Sequence, residues 1–280
     1  MNKFPVVEIF ESIQGEGCLT GVPSVFIRTS GCNLRCAWKN SVCDSAYTSH
    51  NPEKPLWTDP EQIVEEILKV KSPETTHFVF TGGEPMLYQE GMYEVMKLLD
   101  ERLCSNEGDL WIHFTVETNS TIVPSWDLLG IVDLWSMSPK LESSCCFEGK
   151  NISPERAKFH QTMRFNPSAL MVYILFGMDV QMKFVWCGED TMKEIDNFFT
   201  RLIKDAEDYF NENKQIVGVD RSFEDFEIAM DCLPVMLMPA GQTNDQINEN
   251  AKSAVAACIT RGWRYCDRTH IRIWGDIRGV

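Results

Sequence analysis

The strongest constraint in this sequence is a unit that occurs six times. Each unit has a short run of β-branched and aromatic residues, then polar residues or glycines, then in most cases a helical pattern. The predicted strands are Val25–Arg28, His77–Phe80, Trp111–Val116, Val132–Met137, Met182–Trp186 and Pro234–Met238. Alternating strands and helices favour an α/β fold with a parallel sheet, so we expect a partial (β/α)6 barrel of the TIM type with its active site at one rim. A doubly wound open sheet is the alternative, since it also places function at the carboxyl ends of strands.

Four helices are predicted from apolar residues spaced three or four positions apart. They cover residues 60–71, 87–103, 192–212 and 244–261. Thr58 or Asp59 is expected to cap the first helix, and the last two open with capping-box patterns at Thr191–Glu194 and Thr243–Gln246. Residues 141–181 fit the repeated unit worst and are interpreted as an insertion that carries one helix. A single domain, residues 1–280, accounts for the length.

Charge and apolar content exclude several classes of protein. The chain has 41 acidic and 26 basic residues, a net charge of −15, and such a surface repels nucleic-acid phosphates. The amino-terminal residues do not have the pattern of a signal peptide, and the longest apolar stretch, Ala169–Met178, is too short to cross a bilayer. We therefore expect a cytoplasmic protein with no direct nucleic-acid or membrane partner.

Cysteine is the residue type that points to chemistry. The count of eleven is odd and no export signal is present, so a disulfide framework is not expected. Cys32, Cys36 and Cys43 fall within twelve residues, directly after the first predicted strand. Three thiolates can bind three irons of a [4Fe–4S] cluster and leave the fourth iron open. On spacing alone, a zinc site that recruits His50 or a distant cysteine, or buried thiols without metal, remain as alternatives.

Several motifs together carry a resemblance to a known family. The sequence from Gly31 to Cys36 (GCNLRC), followed by a third cysteine and by Thr81–Pro85 (TGGEP), resembles the radical S-adenosylmethionine (SAM) enzymes. More narrowly, five segments resemble the 7-carboxy-7-deazaguanine synthase family, in the order of that family. They are Glu8–Gly17 (EIFESIQGEG), the stretch GVPSVFIR that ends at Arg28, Glu117–Asn119, Ser138–Lys140 and His270–Gly275.

The resemblance implies a [4Fe–4S] cluster on Cys32, Cys36 and Cys43, with SAM chelating the fourth iron. One electron from the cluster would then break a sulfur–carbon bond of SAM and release a 5′-deoxyadenosyl radical. It also implies a set of residues around the cluster and SAM. These cofactor-binding residues are Val42, Cys43, Asp44, Gly83, Glu84, Glu117, Ser138, Pro139 and Lys140.

The resemblance further implies a pterin substrate and a Mg²⁺ ion, the latter held beside Cys43 through the hydroxyl of Ser45. The implied substrate residues are Ile13, Gln14, Gly15, Glu16, Arg28, Thr81, His270 and the terminal Val280. Glu16 would accept from the guanidine-like edge of the pterin, and Arg28 would bind its carboxylate. Without the resemblance, we expect residues 14–17 to be a flexible loop and Arg28 to be either a solvated edge residue or part of a structural ion pair. His270 is then expected to be a structural residue of a strand-like segment. Lys183 is then an ordinary rim charge.

The sequence departs from the family pattern at a few positions. Six residues, 37–42, separate the second and third cysteines where two are common. Ser45 replaces threonine, Ser120 replaces glycine, and Met238-Pro239 replaces Gln-Pro. The insertion at 141–181 also lengthens the chain.

The implied reaction converts 6-carboxy-5,6,7,8-tetrahydropterin to 7-carboxy-7-deazaguanine, with loss of ammonia and regeneration of SAM. The family also implies an electron donor such as flavodoxin or ferredoxin, and a homodimer. Two alternatives are another radical SAM reaction, such as glycyl-radical activation of a partner protein, and a zinc-stabilised binding module without turnover.

Overall fold

A computed structural model describes residues 3–39, 41–104, 111–213 and 221–280. Asn40, in the predicted cluster loop, lies outside these residues. The strands are β1 (Val6–Ile13), β2 (Pro23–Thr29), β3 (His77–Gly82), β4 (His113–Thr118), β5 (Leu134–Met137), β6 (Asp179–Trp186), β7 (Val235–Pro239) and β8 (Arg264–Tyr265). The helices are α1 (Ala46–Ser49), α2 (Pro60–Val70), α3 (Gln89–Cys104), α4 (Trp126–Leu129), α5 (Pro154–Met163), α6 (Pro167–Phe176), α7 (Asp190–Asn213), α8 (Phe223–Cys232), α9 (Asn244–Arg261) and α10 (Thr269–Trp274).

The eight strands form one sheet in which spatial order equals chain order, from β1 to β8. Strand β1 pairs antiparallel with β2, and every later neighbour is parallel. A doubly wound sheet reverses its strand order part-way, whereas successive crossovers in one direction curl a sheet towards a barrel. The partial barrel is therefore confirmed, and its six expected strands are β2 to β7.

Helices cover the outer face of the sheet because their apolar stripes must be buried. In α2, Ile63, Val64 and Ile67 are fully buried, and the helix begins where the Asp59 carboxylate accepts the N–H of Gln62 at 3.2 Å. The predicted helices at 60–71, 87–103 and 244–261 are confirmed as α2, α3 and α9. Among the described residues, no helix combines the length and apolar character needed to cross a membrane.

Several predicted boundaries differ from the structure by two or three residues, and two of them have a clear physical reason. Helix α7 begins at Asp190, so Thr191 lies inside its first turn rather than at a capping box, and its hydroxyl accepts the N–H of Cys187 at 3.0 Å. The strand expected from Trp111 begins at His113 instead, where it pairs with His77 of β3. Trp111 is 76% exposed, so its β propensity is not supported by packing.

The predicted insertion at 141–181 is wrong in extent and in helix content. The segment contains two helices, and its last residues belong to β6. Helix α6 is the ordinary crossover between β5 and β6, with Tyr173 packed on Trp135 of β5 at 4.9 Å between ring centroids. It is apolar on nearly every side, so it lacks the amphipathic pattern that identifies surface helices. The part of this segment that is additional to one strand–helix unit is therefore residues 141–163.

Candidate active site

A cavity of about 750 Å³ lies in the interior of the partial barrel and at its rim. This volume is in the range of small-molecule sites. Of the residues predicted to form the site, only Glu84 and Pro139 are not among those that line the cavity. Those that line it are Ile13, Gln14, Gly15, Glu16, Arg28, Cys32, Cys36, Val42, Cys43, Asp44, Ser45, Thr81, Gly83, Glu117, Ser138, Lys140, His270 and Val280.

Strand register supplies the inner wall of this cavity. In the register of the parallel pair β2–β3, Arg28 lies beside Thr81. Side chains at alternate positions of a strand point to the same face of the sheet. Glu117 on β4 and Lys183 on β6 line the same cavity near the carboxyl ends of their strands. The polar residues predicted at strand ends therefore converge because parallel strands end on the same side of the sheet.

The turn between β1 and β2 closes the open side of the sheet. It hydrogen-bonds to the segment after β8: the N–H of Gly17 lies 3.0 Å from the Cys266 sulfur, and Thr269 donates to the Gly15 carbonyl at 2.9 Å. The N–H of Cys18 donates to Gln181 at 2.9 Å. The turn thus links the first strand to the segment after the last, and it is a structured part of the site rather than a flexible loop.

Glu16 is the centre of a buried ion network. Its Oε2 lies 3.1 Å from Lys183 Nζ and its Oε1 lies 3.1 Å from Arg268 Nε. Arg268 also binds Asp44 at 2.5 Å and donates to the Gly241 carbonyl at 2.6 Å. Burial by itself would raise the pKa of Glu16, but Lys183 and Arg268 hold that pKa well below its usual range. Burial opposes Arg268 in the same way at Asp44, and the net pKa of Asp44 is lowered. Both carboxylates are therefore ionised.

Lys183 is not an ordinary rim charge. Its side chain is 3% exposed, and Nζ lies 3.6 Å from Glu117 Oε1 in addition to Glu16. Burial lowers its pKa, but the two carboxylates outweigh burial and raise the pKa above its ordinary value. Glu117 also accepts from Gln14 Nε2 at 3.2 Å and from the Thr81 hydroxyl at 2.8 Å. A lysine within the otherwise apolar run Met182–Trp186 is the signal that could have identified this role.

Arg268 is a site residue that sequence reasoning missed. It is 8% exposed and joins two carboxylates from distant parts of the chain. The available signal was its position two residues before His270, in a segment already expected to contact substrate.

Arg28 lies at the edge of the cavity. Its Nε is 3.2 Å from Glu8 Oε2 without the angle of a hydrogen bond, and its guanidinium lies 5.4 Å from the centre of the Phe10 ring. An arginine whose Nε lacks a hydrogen-bond partner keeps donors for a further acceptor.

The carboxyl-terminal residues form another wall. Arg278 makes two contacts of 2.9 Å with Glu53 and one of 3.0 Å with Glu8, and it stacks 3.7 Å from the Tyr47 ring centre. These contacts hold the end of the chain, including Val280, against the cavity.

His270 lies in α10, so the predicted strand-like segment is wrong. The alternating His-Ile-Arg-Ile pattern resembles a strand, but this segment follows the short β8 and folds back as one helical turn and a half against the β1–β2 turn. A Cβ on Gly15 would lie 2.1 Å from His270 Nδ1, so glycine is required for this close approach. Burial lowers the pKa of His270, partly offset by Glu16, so the ring is neutral at pH 7.

The TGGEP motif brings two backbone segments together. A Cβ on Gly83 would lie 1.9 Å from the Gly31 carbonyl oxygen, which directly precedes Cys32. Glu84 is fully buried, and its carboxylate accepts from the Thr118 hydroxyl at 2.7 Å and the Asn119 N–H at 2.8 Å. Glu84 therefore braces strand β4 behind the cavity wall.

Cys32, Cys36 and Cys43 are free thiols that line the same cavity. Burial raises the pKa of each, that of Cys32 to about 12 with a further contribution from Glu84, and Lys140 opposes the rise at all three. Buried thiols beside a cation suit soft metal centres, where the metal replaces the proton. In the described ranges, no three His, Cys, Asp or Glu residues group closely enough to hold a single metal ion. A [4Fe–4S] cluster takes one thiolate per iron, so its ligands need not converge on one point.

Oxygen donors adjoin the third thiol. The Ser45 hydroxyl lies 3.3 Å from Asp44 Oδ1, while Asp44 Oδ2 is bound by Arg268. Across the cavity, Lys140 Nζ donates to the Ser138 hydroxyl at 2.8 Å.

Known proteins resemble this chain over most of its length. Residues 26–132 match the radical SAM superfamily. A 7-carboxy-7-deazaguanine synthase from Rhodopirellula baltica is 34% identical over 276 residues, which cover 98% of this chain and 88% of that protein. One from Halobacterium salinarum is also 34% identical over 276 residues, covering 97% and 91%. The crystal structure of QueE from Escherichia coli has the same fold, with 20% identity and a TM-score of 0.54 over 96% of this chain and 95% of that one.

Proposed function

We propose, because this chain belongs to the 7-carboxy-7-deazaguanine synthase family of radical SAM enzymes, that it converts 6-carboxy-5,6,7,8-tetrahydropterin to 7-carboxy-7-deazaguanine. Ammonia is the second product. The observation that carries the proposal is that one cavity is lined both by three free thiols and by the residues expected to recognise a carboxylated pterin. Residues 1–280 are proposed to form one catalytic domain.

The thiols of Cys32, Cys36 and Cys43 would hold the [4Fe–4S] cluster, with the backbone at Gly83 and the Ser138 hydroxyl beside SAM. The cluster and SAM, when bound, supply the radical that removes a hydrogen atom from the substrate. The protein's part is to bury this centre and exclude water. Lys140 supports the assignment because its charge opposes the rise in pKa that burial causes at all three thiols.

Substrate recognition is assigned to charged groups that are already oriented. Lys183 and Arg268 each occupy one side of the Glu16 carboxylate, and its remaining lone pairs can accept the paired N–H groups of a pterin. Arg28 is assigned the substrate carboxylate, and His270 lies in reach of the same ligand. A fixed, ionised Glu16 costs little reorganisation on binding.

A Mg²⁺ ion would be held by the Ser45 hydroxyl and substrate oxygens, next to Asp44. Oxygen donors of this kind suit a hard cation. Because Arg268 already occupies one Asp44 oxygen, the carboxylate would act through its other oxygen. We also propose flavodoxin or ferredoxin as the electron donor, a homodimer as the assembly, and the cytoplasm as the location.

The test is anaerobic reconstitution with iron and sulfide, followed by incubation with the pterin, SAM, Mg²⁺ and dithionite. The expected result is a brown protein that forms 7-carboxy-7-deazaguanine, identified by mass spectrometry. Cys36→Ser should abolish product and iron binding, whereas the exposed Cys232, outside the cavity, provides the matched control Cys232→Ser.

A colourless protein that binds zinc would contradict the proposed cofactor. An intact cluster that cleaves SAM but never forms the deazapurine would retain the radical chemistry and reject the proposed substrate.

A further inference from the structure

The two largest departures from the family pattern contact each other in the folded chain. They are the cluster hairpin, defined as residues 36–43, and the support segment, defined as residues 141–163. Neither departure has a role in the proposed chemistry. The contacts between the two segments indicate a structural role for both.

The longer spacer between the second and third cysteines folds into a hairpin. Ala37 pairs antiparallel with Val42, and the N–H of Cys43 donates to the Cys36 carbonyl at 3.1 Å. Trp38 and Ser41 therefore lie beyond the Ala37–Val42 pair, and the backbones of the two cysteines remain hydrogen-bonded neighbours. The hairpin therefore accommodates the longer spacer while the backbones of Cys36 and Cys43 stay adjacent.

The support segment adds a second partner to this hairpin. The N–H of Ala37 donates to the Ser144 carbonyl at 2.8 Å, and the N–H of Cys146 donates to the Ala37 carbonyl at 2.8 Å. Ala37 and Cys145 form a parallel bridge. Both backbone groups of Ala37 are thereby bonded to the support segment.

A buried histidine joins the support segment to the residues between the first two cysteines. His160 of α5 is fully buried, and its Nδ1 accepts the backbone N–H of Arg35 at 3.1 Å. Its Nε2 lies 3.0 Å from the Ser144 hydroxyl, which itself donates to the Leu141 carbonyl at 2.6 Å. Because Nδ1 accepts and Ser144 has spent its proton, His160 is the neutral tautomer with the proton on Nε2. The ring of Phe147 packs edge-on at 5.5 Å.

We infer that the support segment fixes the geometry of the cluster hairpin, and that His160 is its positioning residue. One imidazole holds the Cys32–Cys36 stretch through Arg35 and the Cys36–Cys43 hairpin through Ser144. The long spacer and the insertion are thus matched: the insertion supplies the bonds that a longer hairpin needs to present its thiols rigidly. This inference rests on the assignment of the three thiols to an iron–sulfur cluster.

The test compares His160→Ala with Gln161→Ala, an exposed neighbour on the same helix, and with His160→Gln, which keeps one acceptor and one donor. Groups that orient metal ligands typically contribute about 10- to 100-fold to metal affinity. We therefore expect His160→Ala to release iron to a chelator about 10- to 100-fold faster than wild type. His160→Gln should recover part of the difference, and Gln161→Ala should match wild type.

Electron paramagnetic resonance of the reduced cluster, with and without SAM, reads the local geometry independently of turnover. His160→Ala should alter the signal and weaken its response to SAM. Denaturation of the apoproteins checks that each variant folds. If His160→Ala does not fold, Ser144→Ala keeps the imidazole but removes its Nε2 partner, together with the hydroxyl's bond to Leu141, and should change the signal in the same direction.

The outcomes separate the two levels of the argument. Unchanged iron release and spectra in folded His160→Ala, His160→Gln and Ser144→Ala, beside a loaded wild type, overturn the positioning role and leave the cluster assignment intact. A wild-type protein that binds no iron on reconstitution overturns both.

Discussion

Replacing Lys183 with methionine tests whether the buried ion network sets the electrostatics of the site. The lysine lies 3.1 Å from Glu16 and 3.6 Å from Glu117. At an effective dielectric of about 20, each pair contributes roughly 5 kcal/mol of Coulomb attraction, most of it offset by desolvation. Lys183→Met leaves two carboxylates facing an apolar side chain, so we expect the free energy of unfolding to fall by about 3–5 kcal/mol.

The assay is urea denaturation of the apoprotein at pH 7, with the exposed Lys193 as the matched control in Lys193→Met. That control should change stability by about 0.5 kcal/mol or less. The double variant Lys183→Met/Glu16→Gln should lose less than the sum of the two single variants, by roughly 0.5–3 kcal/mol, because it removes one of the two carboxylate charges that Lys183 no longer balances.

The pH dependence gives a second readout with a defined sign. The pKa of Glu16 is lowered in the folded protein, so its stabilisation is present above its ordinary pKa of 4.5 and is lost as pH falls. Lys183 is the largest contributor to the lowering, so in Lys183→Met this loss should be smaller and should be complete at a higher pH. A loss of stability no larger than the control, with an unchanged acid transition, would refute the reasoning.

Three further predictions concern other parts of the structure. Gly15→Ala should displace His270 and lower kcat/KM by about 100-fold in steady-state assays, whereas Gly130→Ala, whose Cβ meets its nearest atoms at 3.5 Å, should leave kcat/KM unchanged. His77 is buried and its pKa is lowered to about 4, so its protonation favours the unfolded chain and the free energy of unfolding should fall as the pH falls from 6.5 to 4. In denaturant titrations, this pH dependence should be smaller in His77→Asn than in wild type by about 1.4 kcal/mol per pH unit. Arg278→Ala should raise KM for the pterin because the chain end is released, yet calorimetry should find stability changed by only about 1 kcal/mol or less, since these ion pairs are exposed; an unchanged KM would contradict the assigned wall.

Local sequence patterns were sufficient for most of the framework. The alternation of strands and helices predicted the parallel sheet, and the polar residues after each strand predicted where the cavity lies. Helix α2 was predicted almost residue for residue because its cap, its proline and its apolar stripe agree. Helix α6 was missed because an all-round apolar segment has no period to detect. Strand β1 was missed because its antiparallel pairing with β2 lies outside the repeated strand–helix unit.

The membership of the site was largely available from motifs, but its electrostatics was not. The motifs named Glu16 and Asp44, yet nothing in their sequence neighbourhood indicates that Arg268 joins them across more than 220 positions of chain. Sequence patterns predict an ordinary rim charge at Lys183, because the burial of a lysine depends on carboxylates from distant parts of the chain that pack around it. Glu84 lies in the expected motif but is occupied by strand β4, a contact that only the packed sheet creates.

The sequence alone indicated a metal centre through three closely spaced thiols, and its motifs indicated the kind of chemistry through their resemblance to a known family. Tertiary structure decided which charges are buried, which carboxylates are paired and how the long cysteine spacer is supported. The physical reason is that ionisation, burial and ligand orientation depend on distances between groups that are remote in the chain. Those distances are set only when the sheet curls and the turn after its first strand contacts the segment after its last strand.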